Sequence, residues 1–318
     1  MPEHDFPFDP SYGYDLAGLL AIAPPPEPAG FVETWRARYA AALAIDPAPQ
    51  VRVSAARRPG FRVLDVEYRT TDGFPIRGWL LLPEAASPRL GLILGHGYGG
   101  IEAPDFPLPR ADAAYLMPCF RGLCRSARAP IATEPHWHVL HDLDKLERYI
   151  LRGCVEDLWT ATTALLMLCP WLAGRIGYLG ISFGGGIGAL ALPWETRIAR
   201  GHLNVPTFGH HPLRQTLPCI GSAEAVQRFV AAHPDAAETL RCYDAAVAAR
   251  HLRQPMHLAL ALFDPVVPPP GQFAIYNAIP GEKVRFVLPA GHFPYPRQAA
   301  REAALLKSLA TFFAPLAS

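Results

Sequence analysis

The first apolar residues at helical spacing come after a proline-rich segment at the beginning of the chain. Residues 1–30 are rich in proline and aromatic side chains, and we expect an extended arm there. Four apolar positions then repeat every four residues, which predicts one amphipathic helix; they are Phe31, Trp35, Tyr39 and Leu43. Alternating or continuous apolar runs follow and predict strands at 62–69, 75–82, 90–94 and 113–116.

Helix and strand patterns alternate from residue 156 onward. The predicted elements are, in order, helix 156–168, strand 175–179, a helix from 183, strand 201–205, helices 223–231 and 236–249, strand 256–263, helix 272–278, strand 283–288 and helix 296–313. Such alternation with short connections predicts an α/β fold, with a mostly parallel central sheet and helices on both faces. The chain contains no repeat and no low-complexity linker, so we expect one domain over residues 1–318.

The stretch 122–152 is the longest part of the chain without clear periodicity. Loops of that length are uncommon in compact domains, and they often cover active sites. We therefore expect a lid-like insertion there.

Three histidines within this stretch, His136, His138 and His141, raise the alternative of a metal site, since imidazole is a common zinc ligand. Two alternate residues point the same way only in a strand, and Pro135 argues against one here. The other interpretations are substrate-facing loop histidines and solvated lid residues. We expect no bound metal, although two nearby carboxylates could complete such a site, Asp142 and Asp144.

The composition excludes several classes of protein. Half of the 318 residues are hydrophobic, which is enough for a large core and rules out a disordered or fibrous chain. The 29 basic and 28 acidic residues nearly cancel, so charge gives no reason to expect nucleic acid or an anionic membrane as a partner.

The sequence also bears on the cellular location of the protein. The first residues lack the basic and apolar regions of a secretory signal, and no apolar run approaches the ~18 residues that span a bilayer. The six cysteines are scattered, without a C-x-x-C pair, which favours free thiols over a disulfide framework. We expect a cytoplasmic protein.

Candidate chemistry centres on Ser182, in the segment Gly180-Ile181-Ser182-Phe183-Gly184. This G-x-S-x-G pattern follows an apolar strand and opens a helix of small residues. A sharp strand-to-helix turn of this kind raises a serine Oγ above the sheet edge, and the glycines permit the close backbone approach. The alternative is a structural glycine-rich turn, which could also hold a phosphate at the helix N-terminus.

A serine hydroxyl needs a base, and the base must be held in one tautomer. α/β-Hydrolases place these partners after the serine, in the order acid and then histidine. Asp264 follows the apolar strand ending at Phe263, and His292 lies in a glycine loop after the next strand. The alternatives are a helix N-cap for Asp264 and an ordinary loop histidine for His292.

An oxyanion hole is predicted from the glycine-rich loop His96-Gly97-Tyr98-Gly99-Gly100, which follows an early strand. In this fold the donors are the N–H after the nucleophile, here Phe183, and an N–H from such a loop, here Tyr98. The alternative is a glycine-rich turn with no catalytic part.

The chain resembles the acetyl xylan esterase and cephalosporin C deacetylase family of carbohydrate esterases, within the α/β-hydrolase superfamily. The likeness runs from about residue 28 to 313. It rests on the first predicted helix, with Phe31 and Trp35, and on five further segments: the His96-Gly97-Tyr98 loop, Phe120-Arg121-Gly122, Gly180–Gly185, the run Asp264-Pro265-Val266-Val267-Pro268-Pro269 with Phe273-Ala274-Ile275-Tyr276-Asn277, and Gly291-His292.

The resemblance implies a triad of Ser182, Asp264 and His292, with Tyr98 and Phe183 as oxyanion donors. It also implies short acyl groups, a small-molecule ester such as an acetylated sugar as substrate, and a homo-oligomer, a hexamer in the family. The chemistry requires no cofactor.

Three positions depart from the family pattern. Leu123 stands where the family has Gln, Phe183 stands where Gln usually follows the serine, and Phe293 replaces the Glu of a His-Glu pair. Each change removes a polar side chain near the expected site. We hypothesise a drier site, better suited to an apolar ester than to a sugar; neutral drift is the alternative.

The sequence thus predicts a serine esterase that hydrolyses short-chain, acetyl-type esters through an acyl-enzyme. A thioesterase or peptidase-like hydrolase of the same fold is one alternative. The other is a degenerate scaffold that binds a ligand without catalysis.

Overall fold

Nine β-strands form one sheet in the part of the chain that the computed structural model describes, residues 3–318. Successive residues of each strand point to opposite faces, so each face has its own apolar cluster. The strands are β1 (Gln50–Val53), β2 (Phe61–Arg69), β3 (Pro75–Pro83), β4 (Leu90–Gly95), β5 (Ala113–Pro118), β6 (Ile176–Ile181), β7 (Ile198–Asn204), β8 (Met256–Ala261) and β9 (Lys283–Leu288).

The spatial order of the strands is β1-β2-β3-β5-β4-β6-β7-β8-β9. Pairing is antiparallel from β1 to β5 and parallel from β5 to β9. Every residue of β4, β5 and β8 is buried, as expected for central strands that are covered on both faces. The predicted mostly parallel sheet is confirmed.

Helices cover both faces of this sheet. One face packs on the apolar side of α4 and α5, and the other packs on α11 through Leu305, Leu309 and Phe312. The helices are α1 (Leu16–Leu20), α2 (Phe31–Leu43), α3 (Pro135–His138), α4 (Ile150–Leu168), α5 (Phe183–Ala191), α6 (His211–Arg214), α7 (Ser222–Ala232), α8 (Ala236–Cys242), α9 (Ala245–Ala249), α10 (Pro269–Ala278) and α11 (Gln298–Phe313).

The structure differs from the sequence prediction at several elements; the short helices α1, α3 and α6 were not predicted, and β8 ends at Ala261 instead of 263. Helix α4 begins six residues before the predicted 156. The predicted helix 236–249 is two helices, because the Asp244 side chain accepts the N–H groups of Ala246 and Val247 and starts a new helix there. Strand β1 was not predicted; it has only four residues, and all of them are exposed.

The described part of both segments singled out in the sequence, from residue 3 onward, packs against the body of the molecule. The arm at 1–30 includes the short helix α1, which Asp15 caps by accepting the N–H of Gly18. The stretch 122–152 includes α3 and buries Leu123, Val139 and Leu143 in the main core. Within residues 3–318, no helix combines the length and apolar character needed to cross a membrane.

Candidate active site

Ser182 occupies the sharp turn between β6 and α5. Its φ of 52° and ψ of −109° lie in a region that side chains other than glycine rarely adopt. Two backbone bonds hold it there: the Ser182 N–H donates to the carbonyl of Asn204 at 2.8 Å, and its own carbonyl accepts the N–H of Thr207 at 3.2 Å. The turn therefore ties the serine to the end of the neighbouring strand β7.

The glycines of the G-x-S-x-G pattern are required by close backbone contacts. A Cβ at Gly184 would collide with the carbonyl oxygen of Gly95, and a Cβ at Gly180 would lie 2.6 Å from the carbonyl oxygen of Gly184. Only glycine allows the start of α5 to approach β4 and β6 so closely.

The three residues predicted to work together meet at the carboxyl edge of the sheet. The Nε2 of His292 lies 2.9 Å from Oγ of Ser182, and its Nδ1 lies 2.8 Å from Oδ2 of Asp264. Asp264 is fully buried, whereas the His292 side chain is 24% exposed. This arrangement can pass a proton from the serine hydroxyl to the imidazole while the carboxylate holds the ring.

Asp264 is fixed by three donors besides the histidine. Its Oδ1 accepts the backbone N–H groups of Val266 and Val267, each at 2.9 Å. Its Oδ2 accepts an N–H of the Gln272 side chain at 3.1 Å. Together with the histidine, these donors hold the carboxyl group in one orientation.

The imidazole responds to two opposing influences. Burial disfavours the charged form of His292, but the nearby charge of Asp264 and the hydrogen bond to it outweigh burial, so the pKa of His292 is raised. A base with a raised pKa accepts the serine proton more readily, provided that the solution is alkaline enough to keep it neutral.

The loop after β4 lies directly against the serine. A Cβ at Gly97 would be only 3.4 Å from Cβ of Ser182. His96 shapes this loop, since its Nδ1 lies 2.7 Å from the carbonyl oxygen of Gly97 and its Nε2 accepts the N–H of Phe120 at 3.1 Å. Burial lowers the pKa of His96 to about 4, so the ring is neutral.

Two backbone N–H groups next to the serine are free to bind an anion. Within residues 3–318 the N–H of Tyr98 has no hydrogen-bond acceptor. Phe183 is the first residue of α5, where a helix provides no partner for the N–H. Both predicted oxyanion donors therefore belong to segments in contact with Ser182.

Phe183 is fully buried in a group of aromatic rings. Its ring centroid is 4.3 Å from that of Tyr98 and between 5.6 and 5.8 Å from those of Phe120, His138 and Phe208. The Tyr98 hydroxyl donates to Nδ1 of His138 at 3.1 Å, and Nε2 of His138 donates to the carbonyl of Arg121. The stretch 122–152 thus supports the loop of Tyr98 from the side.

The histidines of that stretch do not form a shared site. Both ring nitrogens of His138 are engaged in hydrogen bonds, whereas His136 is exposed on the opposite side of a single helical turn. Burial lowers the pKa of His138 to about 4, which leaves a neutral ring that positions Tyr98. Helix α3 separates the side chains of His136 and His138, which a strand would have aligned.

A comparison with known families identifies the fold and its chemistry. The family model for acetyl xylan esterase (AXE1) matches residues 22–306. The chain belongs to the acetyl xylan esterase family. It is a carboxylic ester hydrolase with an α/β-hydrolase fold, as the sequence predicted.

Solved structures agree with this family assignment. The esterase is similar to acetyl xylan esterase 1 from Thermoanaerobacterium sp. JW/SL YS485, with a TM-score of 0.76 and 18% identity over 95% of this chain and 99% of that one. It is also similar to the acetyl xylan esterase from Paenibacillus sp. R4, with a TM-score of 0.78 and 21% identity over 93% and 99%. An acylaminoacyl peptidase from Pyrococcus horikoshii matches 80% of the esterase but only 41% of its own longer chain, with a TM-score of 0.63 and 15% identity.

All three departures of the esterase from its family pattern have apolar neighbours. Phe183 lies in the aromatic group, and Leu123 is buried in the main core. Phe293 packs on Phe6 and Phe263, with ring centroids 5.6 and 5.3 Å away. These surroundings would leave a polar side chain at positions 183 and 123 without water, so the substitutions suit the packing of this chain.

The esterase uses its amino-terminal arm to build the site. The backbone N–H of Asp264 donates to the carbonyl oxygen of Pro10 at 3.0 Å. The Tyr12 hydroxyl donates to the carbonyl of Pro218 at 2.9 Å, beside the loop of Asp264. The arm therefore covers the acid and the ring of Phe293.

Sequence reasoning missed Gln272, His138 and Pro10 as parts of this site. Gln272 bridges the acid loop and β8, because its side chain also accepts the N–H of Ala261. No motif marks it, although it lies in the helix after the Asp264 block. Pro10 acts through its backbone carbonyl, which no side-chain pattern can reveal.

A mostly apolar cavity of about 440 Å³ lies beside the end of β6. Ile181 and Asn204 form part of its wall, and Phe106, Leu306 and Leu309 close the other side. Asn204 is the residue whose carbonyl binds the serine N–H, so the cavity adjoins the turn of the nucleophile.

Proposed function

We propose that Ser182 of this esterase hydrolyses short-chain, acetyl-type esters through an acyl-enzyme. The observation that carries the proposal is the continuous hydrogen-bonded chain from Oγ of Ser182 through His292 to the buried Asp264, at 2.9 and 2.8 Å. Family membership supplies the ester as the substrate class.

In the first half-reaction Oγ attacks the ester carbonyl while Nε2 of His292 takes the hydroxyl proton. The resulting imidazolium then gives that proton to the leaving alcohol, and the acyl group remains on Ser182. In the second half-reaction water attacks the acyl-enzyme with His292 as base, which releases the acid and restores the serine. Asp264 keeps the ring in position and stabilises its charged form.

The oxyanion of each tetrahedral intermediate would bind the N–H groups of Tyr98 and Phe183. Support comes from the contact of both segments with Ser182 and from the absence of another acceptor for Tyr98 within residues 3–318. A donor of this kind contributes about 3–4 kcal/mol to transition-state stabilisation. The mechanism needs no cofactor.

The substrate preference we propose is for an ester with an apolar alcohol or acyl part. The three apolar departures support this preference over an acetylated sugar, since each places an apolar side chain where the family has a polar one. The measurement is kcat/KM on a small aryl acetate and on acetylated xylo-oligosaccharides. A clear preference for the sugar ester would contradict this part of the proposal. Neutral drift would then explain the apolar residues at positions 123, 183 and 293.

A fluorophosphonate probe tests the mechanism itself. An activated serine is phosphonylated at Oγ, and peptide mapping should place the label on Ser182. The Ser182→Ala variant should keep its fold and lose acyl transfer by several orders of magnitude. An unlabelled protein would instead support a scaffold that binds a ligand without catalysis, and turnover confined to thioesters or peptides would favour the other hydrolases of this fold.

Three further features are proposals of the same kind. We expect residues 1–318 to act as one domain, with 122–152 as a lid-like wall over the site.

The family resemblance suggests a homo-oligomer, a hexamer, and the mass of the particle in solution tests it. All six cysteines are unpaired, which supports a reducing, cytoplasmic location.

A further inference from the structure

Two cysteines face each other behind the loop of Tyr98. Cys119 follows β5, and Cys124 begins the turn Cys124–Ser126 a few residues later. Their sulfur atoms and a ring nitrogen of His96 all lie within 4.8 Å of one another. The two thiols are therefore neighbours in the folded chain as well as in the sequence.

The geometry of His96 argues against a metal ion at this cluster. One ring nitrogen is bound to the carbonyl of Gly97, and the other accepts the N–H of Phe120. Binding a metal would require one of these two bonds to break. The chemistry that remains available is therefore that of the two thiols.

The two thiols differ in the way that a reactive pair requires. Cys119 is fully buried, whereas Cys124 is partly exposed. The hydrogen bond from the Cys119 thiol lowers the pKa of Cys124, and the bond with Cys124 raises the pKa of Cys119. A thiolate is the nucleophilic form of cysteine, so Cys124 is the thiol that an oxidant reaches and that reacts with it first.

Cys124 is also a support for the loop that carries Tyr98. Its Sγ accepts the backbone N–H of Ile101 at 3.3 Å, and it lies so close to Gly100 that a Cβ there would overlap the sulfur. The N–H of Gly100 in turn donates to the carbonyl of Gly97 at 2.9 Å, which closes the turn around Tyr98. Any displacement of the Cys124 sulfur therefore reaches the proposed oxyanion donor.

We propose that Cys119 and Cys124 form a reversible dithiol–disulfide pair that responds to hydrogen peroxide and controls the position of the Tyr98 loop. This goes beyond the proposed esterase mechanism, which uses neither cysteine. The Cys124 thiolate attacks one peroxide oxygen, the O–O bond breaks, and the sulfur becomes a sulfenic acid while hydroxide leaves. The Cys119 sulfur then attacks the Cys124 sulfur, and the sulfenic hydroxyl leaves as water with the Cys119 proton. Two thiols are oxidised by two electrons, and one peroxide is reduced to two waters.

Disulfide formation would change the site because an S–S bond is about 2.05 Å long. Cys119 is anchored by its N–H bond to the carbonyl of Arg77, so the Cys124 sulfur must move toward it. The Ile101 N–H then loses its acceptor, and the turn at Gly97–Gly100 loses its support. We expect a fall in kcat/KM of roughly tenfold or more, since complete loss of one oxyanion donor costs roughly 10²–10³ in other hydrolases.

The test begins with the thiols themselves, so that it does not depend on esterase activity. Native protein is treated with hydrogen peroxide, remaining thiols are blocked, and peptides are mapped by mass spectrometry. The expected product is a Cys119–Cys124 linkage that dithiothreitol reverses. Recovery of both residues as free thiols would overturn the proposal, as would binding of one equivalent of Zn²⁺ that protects them from peroxide.

Activity on an aryl acetate is then followed before oxidation, after oxidation and after reduction. The wild-type protein should lose and regain activity, whereas Cys119→Ser and Cys124→Ser should not respond in this reversible way. Cys242→Ala is the matched control, since Cys242 is also partly exposed but is absent from the thiol pair, and it should respond as the wild type does. A disulfide that forms without changing kcat/KM would refute the control of the Tyr98 loop, while an inactive reduced protein would refute the esterase mechanism instead.

Discussion

The carbonyl oxygen of Pro10 accepts the backbone N–H of Asp264 at 3.0 Å. This bond joins the arm at the beginning of the chain to the residue that orients His292. The same arm places Phe6 on the ring of Phe293, the residue directly after the histidine. Acid and base are therefore both held in place by a segment that is distant from them in sequence.

Removal of residues 1–12 is expected to lower kcat/KM at least tenfold, because the Asp264 loop loses a backbone partner and Phe293 loses its cover. Circular dichroism should show that the sheet and helices remain. Removal of residues 1–3 alone is the control and should leave kcat/KM unchanged. Full activity of the longer truncation would show that the arm does not position the acid.

The pH dependence of the esterase should report the pairing of His292 with Asp264. The neutral imidazole is the base, and its pKa is raised above the ordinary histidine value of about 6.5, so activity should fall as the pH drops through a value above that. In Asp264→Asn the negative charge is gone while burial remains, so this acid limb should move to lower pH. The measurement is the pH profile of kcat/KM.

Asp264→Asn should also lower kcat by roughly 10⁴, the size of effect that this substitution has in other serine hydrolases. Asp235→Asn changes an exposed carboxylate and should leave both the rate and the profile as they are. An acid limb that stays in place in Asp264→Asn would mean that the limb belongs to another group.

Gly184→Ala should cost about 1–3 kcal/mol of unfolding free energy or more, in spite of the higher helix propensity of alanine. The added methyl group would meet the carbonyl oxygen of Gly95, which β4 holds fixed. Gly99→Ala is a matched control in the oxyanion loop, because nothing lies within 4 Å of its added Cβ. Thermal unfolding compares the two, and equal melting temperatures would contradict the packing argument.

Phe183→Gln restores the side chain that the family usually has after the serine, yet we expect it to destabilise this protein. The amide would be buried among the rings of Tyr98, Phe120 and Phe208, and an unpaired amide costs about 1–3 kcal/mol. Phe183→Leu removes the same ring but stays apolar, so the difference between the two variants isolates the buried amide. Urea unfolding gives that difference, and a more stable Phe183→Gln would indicate a polar partner.

The sequence predicts well those features that a local residue pattern determines, such as strand bounds and the residues that follow strands. Strand β9 has the predicted bounds 283–288, because Gly281 before it and Pro289 after it mark its two ends. Ser182, Asp264 and His292 follow strands of one parallel sheet, whose carboxyl ends share an edge, and the structure brings their side chains together there.

Contacts that depend on tertiary structure left no such signal. The bond between Pro10 and Asp264 uses two backbone groups, and these are alike in every residue. The exposed strand β1 pairs with β2 but has no buried face, and its two alternating valines, Val51 and Val53, are too few to predict a strand. His138 resembled a metal ligand in sequence, and only the fold shows that Tyr98 and the Arg121 carbonyl occupy both of its nitrogens.

The left-handed backbone at Ser182 has an evolutionary consequence. Glycine would adopt this φ of 52° at less conformational cost, so selection for a durable protein alone would favour glycine at this turn. A serine at position 182 is therefore explained by a function of its hydroxyl group. A descendant that had abandoned ester hydrolysis should therefore lose this serine early, and gain thermal resilience when it does.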